Sequence, residues 1–258
     1  MTTRHYLVGI CFSLIGIIGS HHYCKAQHQK AVVTNTGYDT TITHLGEVDM
    51  IQIFIKKGQI LEEGYLKKGK KDGVWTTFHE TGFPSSTTSY RNGVLSGIQL
   101  LYGADGYTEE MSTYQNNTLN GPYRLYFKGA RINKEIYYSN GIEDGYKKVF
   151  YAEGGLQEEG RIKMGKREGL TTWYFVNGNK AIEYTYKDGE LEGKAVVYNE
   201  SGVVTQMGGY SKGVQSGWWK EFSDGGQLKE EGDYFNGKKT GIWKVYDAKG
   251  QFLKTINY

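Results

Sequence analysis

Apolar and polar residues alternate along this chain in short runs, and glycine cuts the alternation at regular intervals. The clearest copy of the pattern is Tyr234-Phe235-Asn236-Gly237-Lys238-Lys239-Thr240-Gly241-Ile242-Trp243-Lys244-Val245-Tyr246, closed by Asp247-Ala248-Lys249-Gly250. With the second glycine of each copy as position zero, the copies fall at Gly73, Gly97, Gly121, Gly145, Gly169, Gly193, Gly217 and Gly241. Each is 24 residues beyond the last (97 − 73 = 24). Position five is aromatic throughout: Phe78, Tyr102, Tyr126, Phe150, Tyr174, Tyr198, Phe222 and Tyr246. Position nine is Gly82, Gly106, Ala130, Gly154, Gly178, Gly202, Gly226 and Gly250. A strict period without insertions marks a repeat array.

Each copy reads as two strands and two tight turns. Asn92-Gly93, Asn140-Gly141, Asp188-Gly189 and Asn236-Gly237 separate apolar runs, the favoured sequence for a two-residue hairpin turn in which both residues take positive φ. The other turn ends at position nine and fits a type I turn closed by a left-handed glycine. The runs between them are rich in Tyr, Trp, Phe, Val and Thr, as strands are. Glycine recurs too often for helix interiors, and no 3.6-residue stripe survives from copy to copy. The predicted fold is all-β: an elongated single-layer antiparallel sheet of 24-residue β-hairpin repeats, with its glycines in turns. Equivalent residues then form rows, and the aromatic rows supply the stability that a second layer would otherwise give.

The array spans residues 42–258. Residues 42–65 read as a degenerate capping repeat in which Asp49 replaces the second glycine, and eight repeats follow. Residues 27–41 are polar and read as a flexible lead-in. Tyr258 takes the register of Tyr234, so the array is expected to stop as its last strand finishes. Before it, residues 1–26 show the layout of a secretory signal: Arg4, a mostly apolar run over 6–19, then a polar stretch ending at Ala26. That run is short for a membrane span of ~20 residues. The expected location is therefore periplasmic, outer-surface or secreted after cleavage near Ala26, with membrane attachment only through an uncleaved signal. Both cysteines, Cys11 and Cys24, lie in this segment, so the mature chain is expected to have no disulfide or thiol chemistry. Losing Arg4 and Lys25 reduces 31 basic residues to 29 against 28 acidic. That near-neutral, interspersed charge gives nucleic acid nothing to hold.

No nucleophile elbow, phosphate-cradling loop or dinucleotide fingerprint appears. His28, His44 and His79 lie in different copies without metal-ligand spacing. Glu62-Glu63, Glu158-Glu159 and Glu230-Glu231 share a register, but neighbours on a strand point to opposite faces and cannot act as a pair. They are read as solvated strand residues that discourage edge pairing. No catalytic, cofactor or metal residue is expected.

The phrase Tyr234, Gly237, Gly241, Trp243, Tyr246, Gly250 resembles the MORN repeat in its bacterial variant form, a Tyr-x-x-Gly-x-x-x-Gly-x-Trp-x-x-Tyr-x-x-x-Gly unit whose bearers include YwqK-like antitoxins. The resemblance covers residues 42–258 and implies an antiparallel sheet engaged in association rather than catalysis. Position two varies: Trp75, Gln99, Tyr123, Lys147, Thr171, Ala195, Trp219 and Trp243. In a regular strand it faces away from position five. Trp75, Tyr123, Trp219 and Trp243 are therefore candidate partner-binding residues, or else rings that cover the second face. The expected function is an exported, non-catalytic scaffold for protein–protein interaction. A toxin-neutralising antitoxin or immunity protein, as the resemblance implies, and a cell-wall or carbohydrate-binding module are the alternatives.

Overall fold

The computed structural model describes residues 5–6, 30–34, 38–55 and 58–258. It divides into two compact units, 1–118 and 119–258. Among the described residues both are built of strands and tight turns, with no helix.

In the first unit the strands Tyr38–Leu45, Val48–Ile55, Ile60–Lys67, Lys70–Phe78, Pro84–Arg91, Val94–Tyr102 and Thr108–Gln115 pair antiparallel in chain order. Lys30–Thr34 pairs with the first of these, and His5–Tyr6 pairs with Lys30–Thr34. Pairing thus begins inside the stretch expected as a lead-in. Thr40 and Thr41 fit this: they are polar, yet β-branched and suited to a strand. Of the expected export segment, only His5–Tyr6 lies within the described residues.

The second unit runs from Gly121–Tyr126 to Phe252–Asn257 through ten further strands, each paired antiparallel with the strands before and after it. Each unit is thus a single-layer antiparallel sheet of hairpins.

Both turn types are as the sequence predicts. Phe235 pairs with Lys238 around Asn236 and Gly237, which have φ of +49° and +75°. At the other end the Ser223 N–H donates to the Gln227 carbonyl at 2.8 Å and the Gly226 N–H to the Ser223 carbonyl at 2.9 Å. Successive hairpins are also stitched through their turns. The Gly237 N–H donates to the Gln215 carbonyl at 3.0 Å, and the Lys212 N–H to the Glu192 carboxylate at 2.8 Å.

Position zero differs from expectation. Its glycine lies inside a strand, at a β-bulge, and not in a turn. Glu231 pairs with Lys244 and Asp233 with Thr240, so Gly232 faces the three residues Gly241, Ile242 and Trp243. The bulge needs positive φ, +63° at Gly241 and +137° at Gly145, which glycine adopts without steric cost. Where Asp49 replaces that glycine, the strands pair without a break from Leu45–Val48 to Tyr38–Ile55. One glycine per copy therefore decides whether the strand bulges.

Candidate interaction surface

The bulge fixes where position two points. Trp75, Trp219 and Trp243 are 4%, 2% and 0% exposed. They are core residues in a sheet that has no second layer to cover them. Each ring lies flat against a glycine of the preceding strand. A Cβ built on Gly64, Gly208 or Gly232 would come within 2.3, 2.2 and 2.5 Å of the rings of Trp75, Trp219 and Trp243 respectively. Each indole N–H then donates to a backbone carbonyl of that strand, Tyr65 at 2.9 Å, Gly209 at 3.0 Å and Asp233 at 3.1 Å.

The tyrosines that open most of the phrases close the rings in from the sides. Tyr210, Trp219, Tyr234, Trp243 and Tyr258 form an edge-to-face ladder with successive centroid separations of 5.4, 5.8, 5.2 and 6.1 Å. Such pairs contribute about 0.5–1.5 kcal/mol each beyond the area they bury. A lysine covers the exposed ring face at two copies, Lys71 over Trp75 at 4.0 Å and Lys239 over Trp243 at 3.9 Å. Where the tryptophan is missing, the bulk comes from elsewhere: Ala195 is buried opposite Tyr184. Thr171 sits over Gly160 with its hydroxyl buried and unpartnered.

Three of the four candidate partner-binding residues are thus out of a partner's reach, a correction to the sequence reading. The fourth, Tyr123, is half-buried and meets Tyr138 edge-to-face at 5.7 Å.

Position five lies on the opposite face, half-buried at every copy. Three of its tyrosines are anchored by glutamates of the neighbouring strand. Tyr174 donates to Glu159 at 2.6 Å, Tyr198 to Glu183 at 2.6 Å and Tyr246 to Glu231 at 2.7 Å. Burial and then these carboxylates push the Tyr174 and Tyr198 hydroxyls up to about 12.

The paired glutamates do split between faces. Glu230 takes Lys239 at 2.5 Å while Glu231 takes Tyr246. Likewise Glu158 takes Arg167 at 2.5 Å while Glu159 takes Tyr174. They are not fully solvated, however: Glu158 and Glu231 are buried, and Glu62, Glu63, Glu159 and Glu230 are half-buried. For Glu158 burial raises the carboxyl's affinity for a proton. Arg167 and then Lys147 outweigh that and hold it below its ordinary range. Of the histidines, His44 bonds Asp49 at 2.5 Å and His79 the Tyr102 carbonyl at 2.8 Å, while His28 lies outside the described residues.

The row left open is one residue along, at position one. Val74 and Ile98 in the first unit are 53% and 50% exposed. In the second, Tyr146, Leu170, Trp218 and Ile242 are 66%, 54%, 45% and 62% exposed. At the same position Lys194 is exposed and Pro122 is half-buried. These residues share the face of position five, and in the second unit they pair with Arg161, Thr185, Asp233 and Asn257 of the following strands. Adjacent copies are two strands, about 10 Å, apart. A shallow cavity of about 180 Å³ opens between Tyr146 and Leu170, floored by Lys148, Glu159 and Thr172. The signal was present in the sequence. Read at the period, position one is apolar in seven of eight copies, counting Pro122, though nothing local at each site demands an apolar residue.

Compared with known proteins, the chain matches no family model and no curated protein.

Proposed function

We propose that this chain is an exported, non-catalytic scaffold that docks a protein partner on the sheet face carrying position one. The observation that carries the reading is that row of exposed apolar side chains. An isolated exposed apolar residue is ordinary, but Tyr146, Leu170, Trp218 and Ile242 recur at the repeat spacing on one face of the second unit, and such apolar patches mark interaction sites. Tyr146 and Trp218 are the residue types that most often anchor such interfaces, and Lys194 and Arg161 supply a polar margin. The likeness of the repeat phrase to MORN-type units and the signal-like N-terminus support the association and export parts of the reading. A toxin-neutralising role would be one case of it, with a protein toxin as the partner.

The test is affinity capture from a cell-envelope fraction with the chain from residue 27 onward as bait, against the variant Leu170→Asp/Ile242→Asp. Both positions are exposed, so the variant keeps its fold. Enrichment of one protein by the native bait and its loss with the variant is the expected result. Identical capture by both baits removes position one as the docking row.

A further inference from the structure

One departure from the second unit's period forms a groove. Where the strand Lys166–Tyr174 runs into its turn, Tyr151, Gln157, Trp173, Phe175, Tyr184 and Tyr186 line an open groove of about 380 Å³. A groove occupies the same place three copies later, lined by Ser223, Lys229, Val245 and Asp247 where this one has Tyr151, Gln157, Trp173 and Phe175. The scaffold is shared. The later groove lacks this aromatic lining at those four places.

Trp173 stands apart from the other tryptophans in its hydrogen bonding. The indole N–H groups of Trp75, Trp219 and Trp243 donate to backbone carbonyls, and that of Trp218 to Glu231 at 3.3 Å. Among the described residues, Trp173 carries the one indole N–H without a protein acceptor. Its ring is held by the protein, edge-to-face with Tyr184 at 5.9 Å and Tyr186 at 6.4 Å. Arg167, 5.2 Å from that ring's centre, is tied to Glu158. The result is a fixed aromatic wall carrying a free donor.

We propose that this groove binds a proline-rich extended segment of a partner protein. No charged side chain lines the groove, so an acidic or basic motif finds no counterpart. The lining offers the indole N–H as a donor, the Tyr151 and Tyr174 hydroxyls being already given to the Tyr174 carbonyl and to Glu159, and it holds no carboxylate to accept from the hydroxyls of a sugar. A polyproline segment is the complement: it presents carbonyl acceptors, has no N–H of its own to satisfy, and packs its rings on aromatic faces. Its conformation is set in advance, so ordering it on binding costs little. This inference rests on the protein-binding reading but not on position one.

The test is titration of the ¹⁵N-labelled chain with acetylated decaproline amide, following the five indole resonances assigned by single Trp→Phe variants. The Trp173 resonance should move saturably and that of Trp243 should stay. Trp173→Phe keeps a ring and loses the donor. It should weaken binding about five- to tenfold by calorimetry, the effect of one net hydrogen bond, with the circular dichroism spectrum unchanged. A Trp173 resonance that stays still up to millimolar decaproline overturns the proposal, as does undiminished affinity in Trp173→Phe. Movement with chitohexaose and not with decaproline overturns it too, and assigns the groove to a saccharide. Since Leu170→Asp/Ile242→Asp tests a different surface, failure here leaves the capture result standing.

Discussion

Tryptophan in this chain has opposite roles one residue apart. Trp218 at position one is 45% exposed and Trp219 at position two is 2% exposed. Hydropathy cannot separate them, because what separates them lies eleven residues back. Gly208 makes room for Trp219, Gly232 for Trp243 and Gly64 for Trp75. That spacing was in the sequence, but its meaning depends on the cross-strand register, which the bulge at position zero sets. At Thr171 the glycine partner is present without the tryptophan, and the threonine hydroxyl is left buried and unsatisfied. Thr171→Val keeps the shape and removes that hydroxyl. It should stabilise the fold by about 1 kcal/mol, the cost of a buried unpaired polar group, read as a higher urea midpoint at unchanged slope.

At the scale of the element, the hairpins were legible almost to the residue. Asn-Gly and Asp-Gly between apolar runs gave the two-residue turns, and glycine at position nine gave the other turn. Position zero was not legible, since a recurring glycine ahead of an apolar run looks the same in a turn and in a bulge. What identifies the bulge is the ring that it delivers onto the preceding strand. Gly208→Ala would place a methyl 2.2 Å from the Trp219 ring, a distance that no side-chain movement at a fully packed site relieves cheaply. It should cost about 2–3 kcal/mol, within the range for overpacked cores. The pairing Gly208→Ala with Trp219→Ala should be less than additive, since the second change removes the obstacle that the first one meets. Equal and additive losses would mean that ring and glycine do not touch.

At the scale of the whole molecule, the repeat sorts its side chains into rows, and each row has one task. The position-two tryptophans and the tyrosines beside them form the core, three position-five tyrosines and their glutamates tie the opposite face, and position one carries the exposed apolar residues. The tyrosine rows also make stability depend on pH. Burial, then Glu159 and Glu183, push Tyr174 and Tyr198 up to about 12; burial, then Tyr184, does the same for Tyr210. The ordinary value is 10.0. Between these limits the unfolded chain gives up protons that the folded chain keeps. Their contribution is thus complete below pH 10 and is lost as pH rises through about 12. The melting temperature should fall across that window, and less steeply in Tyr198→Phe; parallel curves would contradict the account. What the sequence showed of the site was its period and its two faces. What it could not show was which row is covered, because in a single layer the cover comes from neighbouring strands. That division is tested most directly by denaturant unfolding of two variants that differ by one position, Trp243→Ala and Ile242→Ala. The account predicts a loss of about 3–5 kcal/mol for the first, as for buried aromatics, and less than about 0.5 kcal/mol for the second, as for surface changes. Comparable losses at both positions would show that the sheet does not separate a core row from a free one.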